Sequence, residues 1–295
     1  LLSFLLRAAA LLGLAALLSA CSGAAVLNAL TSRAGYETAR SVRYAPGPRG
    51  TLDLYVPDDA GPRTPVVVFF YGGSWDSGSK SLYRFVGQSL ASQGYAVAVP
   101  DYRVYPEVRF PDFVEDGAKA VAAVERLARE GGDGLPAGRH PIVLMGHSAG
   151  AQIAALLAFD ERYRRAAGAR ERLAGFVGLA GPYNFLPLRE ERYKRIFPLS
   201  TREASQPIRF VDGAPGEPPA FLAAGLSDTT VDPKNTRSMA ARIRAVGGRV
   251  EERLYPDLDH IGAVSSLATA LPLGQRQLRA DLLDFLGRIT GARRP

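Results

Sequence analysis

The chain has 295 residues, enough for one large domain with a substantial core, and its 47% hydrophobic and 22% charged residues are ordinary for a globular protein. One cysteine and three histidines exclude an internal disulfide and leave no basis for a metal site, so none is expected. The formal charge of +7 is carried by scattered arginines, without the clustered basic stripe that nucleic acid binding requires, and no nucleic acid partner is expected.

Residues 1–20 carry one charge, Arg7, followed by a Leu/Ala run over 8–18. That run is too short for a bilayer span of about 20 residues and has the length of a signal-peptide core. Its end, Leu18-Ser19-Ala20-Cys21, resembles the lipobox of bacterial lipoproteins. The resemblance implies cleavage before Cys21, lipid attached to its sulfur, and a lipid-anchored place in the bacterial cell envelope. Residues 22–43 are small, polar and weakly patterned and read as a tether. The remainder, 44–295, reads as one domain.

Within it, strand and helix signals alternate. Leu52-Asp53-Leu54-Tyr55-Val56 alternates as a strand, and Val66-Val67-Val68-Phe69-Phe70 is a β-branched and aromatic run that reads as a central one. Residues 79–93 set Leu82, Phe85, Val86 and Leu90 at helical spacing, closed by Gly94. A strand at 95–99 and a helix from Pro111 to the Gly131-Gly132 stop come next. The apolar run Ile142-Val143-Leu144-Met145 then leads into Gly146-His147-Ser148-Ala149-Gly150 and a helix. Strands at 176–180, 220–224 and 250–255 and helices at 233–246 and 275–289 complete the pattern. This alternation predicts an α/β fold, a mostly parallel sheet with helices on both faces.

A turn from strand to helix at Gly146-x-Ser148-x-Gly150 strains its central residue and pushes that side chain out of the sheet, with glycines where a Cβ would collide. A serine hydroxyl is a poor nucleophile and needs an imidazole to take its proton, itself steered by a carboxylate. Elimination leaves one imidazole. In a tight turn His147 diverges from its neighbour Ser148, and His140 precedes the elbow strand at the far end of the sheet. His260 follows the strand ending at Tyr255, at the carboxyl edge where Ser148 lies. The acid should come from the loop after 220–224, where Asp228 is preferred and Asp232 is the rival, placed to cap the helix after Pro233. Asp257 and Asp259 read as solvating the histidine loop.

Acyl transfer also needs N–H donors aimed at the developing oxyanion, each often worth ~3 kcal/mol. Ala149 supplies one, and Tyr71-Gly72-Gly73-Ser74-Trp75 stands where the others should follow a strand. That segment resembles the His-Gly-Gly-x-Trp motif of α/β-hydrolase carboxylesterases and kynurenine-formamidase-like enzymes. Asp101-Tyr102-Arg103-Val104-Tyr105-Pro106-Glu107 resembles the Asp-Tyr-Arg-Leu-Ala-Pro-Glu segment of hormone-sensitive-lipase-like (BD-FAE-like) esterases, and Gly146-His147-Ser148-Ala149-Gly150 is shared by both.

The resemblance implies an α/β-hydrolase fold and a serine esterase acting on small acyl or aryl esters. It places Gly72, Gly73 and Ser74 with Ala149 at the oxyanion hole, and makes Arg103 and Glu107 scaffold. Tyr71 departs from the family's histidine, which puts the bracing of the loop in doubt. A lid insertion is expected at about 183–217, with Trp75, Tyr183 and Phe185 as substrate-binding residues; Tyr193, Phe197 and Phe210 line the same pocket or form a small core beneath the lid. No metal or organic cofactor is required by this chemistry. An arylformamidase or amidase is the alternative enzyme, and a non-catalytic envelope protein that keeps the scaffold for binding is the alternative of another class.

Overall fold

The computed structural model describes residues 23–271 and 273–292. Among the described residues, eight strands form one sheet in the order β1-β2-β4-β3-β5-β6-β7-β8. They are β1 (Tyr36–Arg43), β2 (Thr51–Pro57), β3 (Val66–Phe70), β4 (Ala96–Pro100), β5 (Ile142–His147), β6 (Gly175–Leu179), β7 (Ala220–Gly225) and β8 (Val250–Tyr255). Only β2 runs against its neighbours β1 and β4; the others pair in parallel. The centre is fully buried. All five side chains of β3 have no exposure, and each Val or Phe hidden this way contributes ~1.5–3 kcal/mol.

The crossovers carry α2 (Arg84–Ala91), α3 (Asp112–Glu130), α4 (Ala149–Phe159) with α5 (Glu161–Ala166), and α7 (Lys234–Ala245), and α9 (Arg276–Thr290) follows the last strand. The α3 and α4 helices approach closely at Gly117, where a Cβ would stand 3.1 Å from both Leu157 and Phe70. The Arg279 guanidinium on Ser89 ties α9 to α2. This is the α/β-hydrolase fold expected from the sequence.

Two stretches differ from expectation. Residues 23–43, read as a tether, are folded: α1 (Gly23–Leu30) reaches the next layer through Asn28, which bonds Ser81 and Phe85, and β1 forms the sheet edge. Its charged, half-exposed side chains follow the need of an edge strand to discourage further pairing, which hides the period-two signal. The expected helix at 79–93 is a short 3₁₀ turn, Lys80–Leu82, followed by α2. The lysine of that turn is held down by a buried ion pair with Asp53 at 2.6 Å.

Parallel strands put their carboxyl ends on one edge, so the loops after β3, β5, β7 and β8 meet there. The segment between β6 and β7 adds α6 (Glu191–Ile196) and two 3₁₀ turns, Glu203–Ser205 and Pro207–Phe210.

Candidate active site

Ser148 ends the β5 turn with φ 53° and ψ −126°, a conformation costing ~1–3 kcal/mol for a residue with a side chain. The flanking glycines explain how the turn closes. A Cβ on Gly146 would lie 2.2 Å from the Gly150 carbonyl oxygen, and one on Gly150 would lie 2.1 Å from that of Phe70. The Ser148 amide donates to the Leu179 carbonyl at 3.0 Å, pinning the bend to β6.

The three residues chosen from sequence meet. His260 Nε2 lies 2.9 Å from Ser148 Oγ, and His260 Nδ1 lies 2.7 Å from Asp228 Oδ2. The other Asp228 oxygen accepts the Thr230 and Val231 amides at 2.8 and 2.9 Å. Burial pushes the Asp228 carboxyl upward, but the bonds from His260 and from these amides outweigh it and leave its pKa below the ordinary value. An ionised carboxylate only accepts, so the imidazole proton sits on Nδ1 and Nε2 presents its lone pair to the serine. Asp232 is elsewhere engaged: its Oδ1 accepts the Lys234 amide at 2.8 Å at the start of α7. Asp259 does more than solvate. It accepts the Gly262 amide and caps α8 (His260–Ser265), so the histidine opens a helix rather than lying in open loop. His140 sits between the Thr64 and Pro136 carbonyls, far from the elbow.

After β3 the backbone runs through Gly73 at φ 136°, Ser74 at 51° and Trp75 at 61°. Among the described residues, none accepts from the amides of Gly73, Ser74 or Ala149. Gly72 passes so close to Ser148 that a Cβ would stand 3.0 Å from that of the serine. Tyr71, standing where the family has histidine, has a brace of its own. Its ring stacks on Tyr102 at 4.7 Å and on Tyr83 at 5.5 Å, and its hydroxyl donates to Asp101 Oδ1 at 2.6 Å. Burial pushes that phenol's pKa far upward, so it remains a neutral donor. Asp101 also receives the Lys80 amide, and Arg49 bonds the Tyr71 hydroxyl and the carbonyls of Tyr102 and Gly78. Arg103 makes a bidentate pair with Asp116 at 2.7 and 2.8 Å, as scaffold.

A cavity of about 180 Å³ opens over Ser148. Trp75, Phe185, Leu188 and Tyr193 supply apolar walls, and Arg189, Glu190 and Asp232 stand among its lining. Trp75 stacks on Phe185 at 5.7 Å, and its indole N–H donates to Gln152 at 3.0 Å. Tyr183 corrects an expectation: it is fully buried, packed edge-on against Phe176, and takes no part in the cavity. Gly178 and Gly181 make its room, since a Cβ on either would strike the ring or its hydroxyl. Phe197 is likewise buried, and Phe210 lies beneath Arg162. A larger groove of about 750 Å³, lined by arginines and acids, contains none of the triad.

Three supporting residues escaped the sequence reading. Gln152 bonds both Trp75 and the Ser205 carbonyl, Asn235 holds the Tyr183 and Asn184 amides, and His147 packs beside His260. Gln152 lies four residues after Ser148, a spacing that puts both on one helical face; the others leave no local signal.

Isoprenylcysteine alpha-carbonyl methylesterase of Arabidopsis thaliana is 31% identical over 84% of this chain and 61% of its own length. Esterase LipC of Mycobacterium tuberculosis is 30% identical over 72% of this chain and 56% of its own. The chain thus spans about 60% of the length of these curated relatives. Esterase B from Lactobacillus rhamnosis superposes with a TM-score of 0.77 at 19% identity, covering 94% of this chain and 95% of that one. The BD-FAE family model matches residues 52–243, which include the turn at Gly72-Gly73, the bend at Ser148 and Asp228. By this match the chain belongs to the BD-FAE family.

Proposed function

We propose that the protein is a serine hydrolase of carboxylic esters, with Ser148, His260 and Asp228 as its catalytic residues. The observation that carries this reading is the hydrogen-bonded line from Ser148 Oγ through His260 to Asp228, at 2.9 and 2.7 Å. Ser148 Oγ attacks the ester carbonyl as His260 Nε2 takes its proton, and the carbonyl π electrons move onto the oxygen. The amides of Gly73, Ser74 and Ala149 stabilise that oxyanion without reorganising. His260 returns the proton to the departing alkoxide as the C–O bond breaks, leaving the acyl group on Ser148. Water, deprotonated by the same imidazole, then releases the acid. Trp75 and Phe185 serve as the apolar walls for the ester's side groups. The test is hydrolysis of p-nitrophenyl acetate together with fluorophosphonate labelling, both expected of the wild type and lost in Ser148→Ala. Turnover by Ser148→Ala equal to wild type overturns the reading.

We further propose export and acylation at Cys21, which lies outside the described residues, and with it attachment to membrane lipid. The support is the sequence 18–21 behind an apolar run. Two or three acyl chains, at ~0.8 kcal/mol per buried CH₂, anchor firmly. Incorporation of a labelled palmitate by the full chain, absent in Cys21→Ser, tests it.

A further inference from the structure

We propose that His147 is a positioning residue, holding the backbone of the catalytic base against the oxyanion turn. The inference rests on the serine-hydrolase reading above. His147 is the last residue of β5 and is only 3% exposed. Its Nε2 lies 2.9 Å from the carbonyl oxygen of His260. A carbonyl only accepts, so the proton of this second imidazole is on Nε2 and Nδ1 is a bare lone pair. That Nδ1 is buried and has no hydrogen-bond partner. It faces Gly72, where a Cβ would stand 3.1 Å away. The ring therefore fills the gap between the glycine turn after β3 and the histidine after β8, 4.9 Å from the His260 ring and tilted 41° to it.

An apolar ring fills the same gap without an unpaired nitrogen. What the imidazole adds is the one N–H that reaches the His260 carbonyl. His260 opens a helix of six residues that follows the short turn after Tyr255. This donor on its carbonyl restrains that peptide from rotating, and so keeps Nε2 at bonding distance from Ser148. Burial also pushes the His147 pKa down to about 3, with His260 adding to the effect. It stays neutral while its neighbour takes up the serine proton, which a second cation at this distance opposes.

The test compares His147→Gln, His147→Asn and His147→Phe in the full protein, with p-nitrophenyl acetate kinetics, fluorophosphonate labelling and thermal melting. A glutamine amide nitrogen stands near the position of Nε2, whereas that of asparagine stands near Nδ1. The expected result is a fall in kcat of roughly tenfold to hundredfold for Phe and Asn with KM little changed, since small misplacements carry penalties of that size. Gln is expected to recover most of the loss. Phe with wild-type kcat, or Gln as slow as Phe, overturns the inference while leaving the hydrolase reading intact. Should the Phe variant fail to fold, equal rates for Gln and Asn overturn it. A wild type that neither hydrolyses the ester nor takes the probe overturns both.

Discussion

Replacing Asp228 by asparagine tests the electrostatic logic of the site with little steric change. The amide can face only one way. Asp228 Oδ1 accepts two backbone N–H groups, from Thr230 and Val231, so the asparagine oxygen must stay there and its NH₂ must turn toward His260. A donor then meets Nδ1 at the 2.7 Å contact. The imidazole answers by moving its proton to Nε2, which points at Ser148 and can no longer accept from it. Retained loop bonds keep the fold, so the penalty falls on kcat. In a serine protease triad the same exchange lowers kcat by about 10⁴ through the wrong tautomer, equivalent to ~5 kcal/mol of barrier. We expect a loss of about 10³ to 10⁴ in kcat for p-nitrophenyl acetate at neutral pH, with KM and melting temperature nearly unchanged. A variant within tenfold of wild-type kcat while folded refutes the assignment of Nδ1 to Asp228 as the steering contact.

Other expectations follow from the surroundings of the triad. Asp232→Ala removes an exposed contact at the start of α7 and is expected to cost about 1 kcal/mol of stability with kcat within twofold by the same assay; a large loss of kcat reassigns the acid. His147 contributes to the pH dependence of stability. Its folded pKa is depressed to about 3 from 6.5, so the unfolded chain binds the extra proton first, and this contribution is complete above 6.5 and lost as pH falls toward 3. Urea unfolding of His147→Phe at pH 4 to 7 should show a slope shallower by up to ~1.4 kcal/mol per pH unit. An unchanged slope contradicts the burial of a neutral imidazole. Tyr71→Phe deletes the donor to Asp101 at 2.6 Å; a hydrogen bond to a charged group contributes ~1.5–3 kcal/mol, so melting should fall by several degrees and kcat by about tenfold as the oxyanion turn loosens. Equal kcat and melting temperature rule out the brace.

The fold was legible because its strands are buried on both faces and its helices are interrupted by glycines. The run 66–70 has no polar residue to misread, and Gly94 and Gly131 both have the positive φ that glycine adopts freely where a helix had to stop. The triad was legible for a different reason. With three histidines and a parallel sheet, His140 falls at the far end of the strands and His147 is turned away from its neighbour by the tight bend, which leaves His260 on the edge of the elbow. What escaped was whatever depends on contacts between distant segments. Tyr183 looked like a pocket residue because aromatic content says nothing about which side of a loop faces solvent; the vacancies at Gly178 and Gly181 decide it. Arg49, 22 residues before the tyrosine it supports, belongs to no motif.

The substitution of tyrosine for histidine at position 71 shows how a motif can change its residue and keep its purpose. The turn after β3 needs a rigid floor because three successive residues there have positive φ, and such a backbone persists only when its surroundings fix it. Here the floor is a stack of three tyrosine rings, Tyr83, Tyr71 and Tyr102, with the Tyr102 hydroxyl donating to the Tyr71 carbonyl at 2.6 Å. Gly78 completes it, since a Cβ there would come 2.7 Å from the Tyr71 ring. A histidine at 71 would leave part of that stack empty and would lose the reach to Asp101 that the phenol supplies. The segment Asp101-Tyr102 and the turn Tyr71-Gly72-Gly73 are therefore one physical unit, although 30 residues separate the two members of its central hydrogen bond.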